Sequence, residues 1–288
     1  MNDKTLSAAS SGQFNIGNDL TINRLGFGAM RITGSGIWGP PDNRREALRV
    51  LRRLPELGVN FIDTADSYGP NVSEELIAEA LHPYSKGMLI ATKGGLTRPG
   101  PNKWEPNGRP GYLRSALEGS LKRLKVERID LYQLHRIDPE VPMEDSLGVL
   151  KDAQKEGLIR YIGLSEVSAE QLEQASKTVD IATVQNMYNL NERRWEDSLK
   201  WCEAQNVGFI PWYPLSAGSI NSQKTIQKVA KKHGVSEYQV ALAWLLQRSP
   251  VMLPIPGTSS VAHLEENVAA ASLKLEEEDL QELNEATA

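Results

Sequence analysis

Apolar residues along this chain follow two alternating rhythms. Short runs of strand length, NFIDTA, MLIATK, IDLYQLH, IRYIGLS, ATVQNMY, GFIPWYP and VMLPIPG, are separated by stretches whose apolar positions recur at helical spacing. Ahead of them, GQFNIG, a polar turn at Asn18-Asp19 and LTINRLGFGAM predict a hairpin. Its second half runs on into a first barrel strand around Arg24 to Ala29. Residues 44–57 carry Ala47, Leu48, Leu51 and Leu54 on one stripe and stop at Gly58. The stretch 73–81, SEELIAEAL, opens with a serine followed by acids, the pattern of an N-terminal cap. GYLRSALEGSLKRLK, SLGVLKDAQKEG, SAEQLEQASKT, LKWCEAQNVG, SEYQVALAWLLQRS and AHLEENVAAA complete the helical set. Glycines in ELGVNF, KEGLIRY and NVGFIP stand where a helix hands over to a strand, at the left-handed closing position. Eight strands, each followed by a helix, predict an α/β fold: a (β/α)8 TIM barrel with an N-terminal β-hairpin. A doubly wound sheet is the alternative. Gly26-Phe27-Gly28-Ala29-Met30-Arg31 supplies two glycines of its nucleotide fingerprint and lacks the third.

Composition narrows the function classes. A chain of 288 residues, 40% of them hydrophobic, can bury a large core, and no linker or composition break divides it. Residues 1–12 read as a disordered tail and residues 13–288 as one barrel domain. The net charge of −5 argues against a nucleic-acid partner, whose phosphates call for basic surface. Cys202 is the only cysteine, so there is no internal disulfide, and no cluster of His, Cys and carboxylates suggests a metal site. No apolar run reaches the roughly 20 residues of a membrane span. The N-terminus lacks the apolar region of a signal peptide, so a cytoplasmic, soluble protein is expected, either a monomer or a weak homo-oligomer.

Four polar residues then stand out at the ends of apolar strands: Asp63, Tyr68, Lys93 and His135. In a barrel these ends form the face where catalytic groups collect. A tyrosine, with an ordinary pKa of about 10, is a weak acid at neutral pH. A nearby ammonium lowers that pKa by stabilising the phenolate, and a carboxylate keeps the lysine charged and in place. The imidazole is then free to orient a carbonyl oxygen beside the phenol. Taken singly, each residue has a structural explanation: a helix cap, a turn, a paired strand-end lysine, a satisfied core histidine. Their occurrence together at successive strand ends favours carbonyl chemistry with a tyrosine acid. Trp38 and Trp104, in Gly/Pro-rich loops, are candidates to line a substrate pocket, with loop packing as the equal alternative. His82 and His233 read as surface turn residues, and Trp195, Trp201 and Trp244 as core or helix-interface residues.

At GVNFIDTADSYG, IATKGG, YQLH, RYIGLSE and LPIPGTSSVAHLEEN, in that order, the chain resembles the aldo-keto reductases from about Asn23 to its C-terminus. The resemblance implies a barrel that binds NADPH in extended form and reduces an aldehyde or ketone by hydride transfer. Tyr68 would donate the proton, Asp63 and Lys93 would tune it, and His135 would orient the carbonyl. The loop Gly36-Ile37-Trp38-Gly39-Pro40-Pro41 and the ending IPGTSSVAHL are similar to bacterial pyridoxal reductases, which makes pyridoxal the first candidate among small carbonyl substrates. Two other readings stay open: a redox-sensing, cofactor-binding subunit with little turnover, and an enzyme running the same chemistry in the direction of alcohol oxidation with NADP⁺.

The resemblance also implies cofactor contacts. Gly28, Ala29 and Met30 would lie against the nicotinamide ribose, Ser165 and Gln185 would hold the carboxamide, and Trp212 would stack on the nicotinamide. The usual asparagine after that serine is Glu166, a carboxylate that accepts but does not donate. Leu215, Ser216 and Ala217 would follow the pyrophosphate. Thr258, Ser259 and Ser260 would meet the adenosine 2′-phosphate at a helix N-terminus. Gly257 and His263 stand where relatives carry a fixed cation, which narrows the expected margin of NADPH over NADH. Glu266 and Asn267 would bind the adenine amino group.

Overall fold

The predicted hairpin forms at the chain start, with β1 (Gln13–Ile16) and β2 (Leu20–Asn23) antiparallel and Phe14 opposite Ile22. The structure, a computed structural model, describes residues 6–17, 19–216 and 224–286. Of the predicted turn, Asn18 therefore lies outside the described residues. The chain breaks after Asn23 and resumes as β3 (Phe27–Gly28), so hairpin and first barrel strand are separate elements.

From β3 onward strands and helices alternate. They are α1 (Arg44–Glu56), β4 (Phe61–Asp63), α2 (Val72–Leu81), β5 (Leu89–Gly94), a hairpin of β6 (Leu96–Gly100) and β7 (Lys103–Pro106), α3 (Pro110–Leu124), β8 (Ile129–Leu134), α4 (Met143–Lys155), β9 (Ile159–Ser165), α5 (Ala169–Ala175), β10 (Ile181–Met187), α6 (Glu196–Gln205), β11 (Gly208–Trp212), α7 (Lys224–His233), α8 (Glu237–Arg248), α9 (Val261–Ala269) and α10 (Glu277–Glu285). Seven strands pair in parallel in chain order, β3-β4-β5-β8-β9-β10-β11. No helix among the described residues is long and apolar enough to cross a membrane.

The eighth run, VMLPIPG, is not a regular strand, yet its backbone closes the ring. Phe209 N–H donates to Val251 O and Leu253 N–H to Phe209 O, both at 2.8 Å. On the other side Gly26 N–H donates to Pro254 O at 2.9 Å, and Gly28 N–H to Pro256 O at 3.5 Å. Pro254 and Pro256 have no N–H to return, so the ladder on that side is one-way.

Local signals placed most elements, and tertiary contacts corrected several details. Ser168 and Ser236 cap α5 and α8 in reciprocal boxes with Gln171 and Gln239. Ser73, expected as a cap, instead sits inside α2, buried, and donates to Ala29 O at 3.1 Å. Asn71 precedes the helix in its place, with a left-handed backbone. Of the three handover glycines, Gly58 and Gly157 are left-handed, whereas Asn206 takes that role after α6. Gly208 is needed for space, since a Cβ there would strike Leu253. His233 is no surface turn residue: it ends α7 and meets Asp279 at 2.7 Å.

Residues 6–12 of the segment expected as a disordered tail are ordered. Residues 8–11 form a 3-10 turn, Ala8 N–H donates to Leu57 O at 2.8 Å, and Leu25 N–H donates to Ser11 Oγ at 3.0 Å. Its small polar residues carry no periodic signal, and its order comes from residues distant in sequence. Arg24 ties this plug to the ring closure. Its guanidinium donates to Met252 O at 3.2 Å, Leu246 O at 2.8 Å and Ser249 O, with Ser11 O at 3.5 Å. Arg24→Met removes every one of these donors and leaves half-buried carbonyls without partners. The expected loss of stability is about 2–4 kcal/mol, read by urea denaturation.

Candidate active site

Three strand ends and one loop converge at the mouth of the barrel. Asp63 ends β4, Lys93 lies near the end of β5 and His135 follows β8, while Tyr68 sits in the loop after β4. Lys93 Nζ donates to Asp63 Oδ1 at 2.5 Å, to Thr64 O at 2.9 Å and to the Tyr68 hydroxyl at 3.4 Å. Asp63 Oδ2 accepts from Gln133 Nε2 at 2.9 Å and from Gln185 Nε2 at 2.8 Å. The four residues singled out in the sequence are thus brought together. Gln133 joins them unannounced, although IDLYQLH carried a signal: Gln133 and His135 are two apart, so they share one face of the strand.

The loop holding Tyr68 is fixed from both sides. Tyr68 N–H donates to Ala65 O at 3.2 Å, and Tyr68 O accepts from Ser73 at the start of α2 at 3.1 Å. Gly69 has φ of 105°, a backbone region that disfavours any side chain. Its backbone pairs with Ile37 and Gly39 of the preceding loop. Arg98, on β6, stitches the surroundings together. It donates to Ile37 O and Ser67 O at 2.8 Å, to Gly36 O at 3.0 Å and to Lys103 O at 2.8 Å. Its guanidinium lies 3.6 Å from the centre of the Trp104 ring and 5.6 Å from that of Trp38.

Electrostatics at these groups depart from one sequence expectation. Burial pushes the Tyr68 phenol above its ordinary pKa; Lys93 opposes that rise, and Asp63 adds to it. The lysine therefore limits the desolvation penalty without producing a net lowering. Tyr68 stays protonated at neutral pH, as a proton donor must. Burial disfavours the Lys93 ammonium, but Asp63 and Tyr68 outweigh it and hold its pKa above the ordinary value. Burial, with Lys93, Arg136 and Arg98 nearby, holds the His135 pKa well below the usual range, so its imidazole is neutral. Ser67 Oγ lies 3.3 Å from His135 Nδ1. With the hydroxyl as donor, Nε2 keeps its proton and can donate to an oxygen in the cavity.

A cavity of 570 Å³ opens over these residues, lined by Asp63, Tyr68, Trp104, His135, Arg136 and Gln185 among others. Trp104 lines this cavity and meets Tyr68 edge-on at 6.3 Å. Trp38 does not line the cavity: Ile37 faces it, and Trp38 turns outward over Arg98.

Of the expected cofactor residues, Gly28, Met30, Gln185, Trp212, Leu215 and Gly257 line the same cavity. Gln185 spends its amide N–H groups on Asp63 and Gln133, which leaves its carbonyl oxygen for a donor such as a carboxamide. Ser165 is buried beside it and accepts from Arg136 at 3.0 Å, with its own proton still to give. Ala29 is buried, and its carbonyl is taken by Ser73. Ser216 is buried, and Ala217 lies outside the described residues. Glu166, in place of the usual asparagine, accepts from the Trp212 indole N–H and from Met187 N–H, both at 2.7 Å. It thus fixes the plane of the ring expected to stack. Thr258, Ser259, Ser260, His263, Glu266 and Asn267 lie beyond the cavity, at and along the start of α9. Ser260 makes no side-chain cap there, and Val261 N–H donates to Glu46 of α1 at 3.2 Å. The free Gln185 oxygen, the Ser165 hydroxyl and the aromatic face suit a dinucleotide, while at the start of α9 the Glu46 carboxylate already holds one N–H. Among the described residues no group of His, Cys and carboxylates could hold a metal ion.

Beneath Tyr68, Asp66 is buried with Oδ1 unpartnered, and burial with Glu74 nearby pushes its carboxyl from 3.8 up to about 8. Below pH 3.8 the group is protonated in both folded and unfolded chains and costs nothing. From there to about 8 the folded chain keeps a proton that the unfolded chain releases, so its contribution falls as pH rises. Asp66→Asn should therefore raise stability by about 2–4 kcal/mol at pH 8 and leave it unchanged near pH 4. Thermal melts of both proteins across that range check the sign and the window.

Residues 24–288 match the model of the aldo/keto reductase family. An uncharacterized oxidoreductase of Schizosaccharomyces pombe is 52% identical over 97% of this chain and 91% of its own length. Pyridoxine 4-dehydrogenase of Escherichia coli is 42% identical over 96% of this chain and 98% of its own. The crystal structure of an aldo-keto reductase from Klebsiella pneumoniae in complex with NADPH superposes with a TM-score of 0.81 at 26% identity, covering 95% of this chain and 94% of that one. With matching motifs, a closed ring of eight parallel segments and the Asp63–Tyr68–Lys93–His135 cluster at its mouth, the chain belongs to the aldo/keto reductase family and is an oxidoreductase.

Proposed function

We propose that this enzyme uses NADPH to reduce a small aldehyde or ketone, with pyridoxal the first substrate to try. The observation that carries the reading is the Tyr68 hydroxyl held 3.4 Å from a buried, charged Lys93 beside a neutral His135. The relation to a pyridoxine 4-dehydrogenase supports the choice of substrate, and the relation to an NADPH-bound reductase supports the cofactor.

NADPH, when bound, supplies the hydride. Everything else falls to the chain. His135 Nε2–H and the Tyr68 hydroxyl together hold the carbonyl oxygen, which fixes the orientation of its carbon. As negative charge develops on that oxygen, Tyr68 gives up its proton. The resulting phenolate faces the Lys93 ammonium, whose charge Asp63 secures, and water-poor surroundings strengthen that attraction. Trp104 forms the apolar wall against which a flat ring can lie. Gln185 and Ser165 would hold the carboxamide, and Trp212, fixed by Glu166, would bear on the nicotinamide face.

Tyr68→Phe should lower kcat for carbonyl reduction by about 100-fold or more while NADPH still binds. Absorbance assays with pyridoxal, methylglyoxal and a nitrobenzaldehyde, paired with tryptophan quenching by NADPH, read the two quantities separately. Full activity in the phenylalanine variant would remove Tyr68 as the acid. The carboxylate of Glu46 at the start of α9 repels a phosphate placed there. Glu46→Gln should tighten NADPH several-fold and leave the Kd of NADH within about twofold, an effect that shrinks in high salt.

A further inference from the structure

Among the described residues, Arg136 is the cavity-lining charge near the reacting groups to which the mechanism assigns no task. It follows His135, and both of its hydrogen bonds use Nη1: to His135 O at 2.6 Å and to Ser165 Oγ at 3.0 Å. Nε and Nη2 have no hydrogen-bond partner among the described residues, although the guanidinium lies 5.8 Å from the centre of the Trp212 ring, and no carboxylate among them comes within ion-pairing distance. Asp63, the acid lining the same cavity, is committed to Lys93, Gln133 and Gln185. Glu166 attracts Arg136 from farther away, but its Oε1 holds Trp212 and Met187. A largely desolvated guanidinium with one edge free is costly unless an anion completes it.

The cofactor's phosphates are badly placed to serve. Counted around the ring, β8 is the fourth strand position and the Leu253–Gly257 run the eighth, so the two lie on opposite sides of the barrel. Phosphate contacts are expected at Leu215–Ser216 and at the start of α9, on the seventh and eighth positions. Arg136 instead lies where its charge acts on Tyr68 and His135, between the carbonyl position and the Trp212 ring, away from the phosphate end.

From this placement we infer that Arg136 is a specificity-determining residue, and that the substrate is a carbonyl compound bearing an anionic oxygen close to the carbonyl, as a carboxylate or an ionised ring hydroxyl. This rests on the reductase reading and deepens it. The free edge of the guanidinium receives that oxygen while His135 and Tyr68 receive the carbonyl. Two anchors on one small molecule set which face of the carbonyl meets the hydride.

The test compares matched pairs: phenylglyoxylate with its methyl ester, and salicylaldehyde at pH 9 with 2-methoxybenzaldehyde. The wild type should favour the charged member of at least one pair, and Arg136→Met should cut that kcat/KM ratio at least tenfold. Arg136→Lys should restore part of it. The carboxylate pair and the phenolate pair distinguish the two sources of the anion. Calorimetry of phenylglyoxylate and its ester on the enzyme–NADP⁺ complex, where no reduction occurs, should show the same loss of discrimination without relying on turnover. Unchanged ratios in the variant, equal losses for both members of each pair, or a weakened NADPH Kd as the main effect would overturn the assignment. Turnover of the neutral members that depends on Tyr68, without any charge preference, would sink the Arg136 inference and leave the reductase reading standing. Absence of all Tyr68-dependent turnover, with charge discrimination intact in calorimetry, would do the reverse.

Discussion

A lysine with no exposed surface must be answered by a carboxylate, and the contact between Lys93 and Asp63 organises the rest of this molecule's mouth. The pair is fully desolvated, so each remaining lone pair and proton needs a partner. Asp63 Oδ2 draws Gln133 from β8 and Gln185 from β10, while Lys93 reaches Thr64 O and Tyr68. Four strands are thereby pinned at one end by a single charge pair. Removing either partner would strand a buried charge at a cost of about 3–5 kcal/mol, so the site and the fold share the same support.

That arrangement explains why the phenol and the imidazole are both neutral before reaction. Burial raises Tyr68 and lowers His135, and the surrounding cations Lys93, Arg136 and Arg98 reinforce the second effect while opposing the first. A protonated phenol and an uncharged imidazole can both donate to one carbonyl oxygen. The cations then matter most as charge appears on Tyr68. Arg98 adds rigidity: it holds the loop before α1, the Tyr68 loop and the β6–β7 hairpin through backbone carbonyls, and it carries Trp104 on its flat face.

Glu166 shows how one substitution within a shared pattern can change a task. In the position where a carboxamide partner was expected, its carboxylate turns to the indole N–H of Trp212 and to a backbone N–H. An ionised carboxylate seeks donors, and those two are fixed parts of the protein. Arg136, one strand over, lines the cavity and is left without a carboxylate partner among the described residues as a consequence of the same commitment.

The alternation of apolar runs determined the barrel, because each period reports only its own element and its buried face. Asp63, Lys93 and His135 were legible as polar residues ending such runs, where burial without function is expensive. Long-range geometry decided what local pattern cannot encode. Pro254 and Pro256 turn the eighth strand into a one-way closure, and Ser7 to Ser11 are anchored by Arg24, Leu25 and Leu57. Likewise Arg98 and Arg136 read as ordinary polar positions in sequence, since nothing in their neighbours says which carbonyls or rings they will meet. The sign of the shift at Tyr68 belongs to the same class. Which charges surround a group can be guessed from strand ends, but how far it is removed from water is fixed only when the loops above it close.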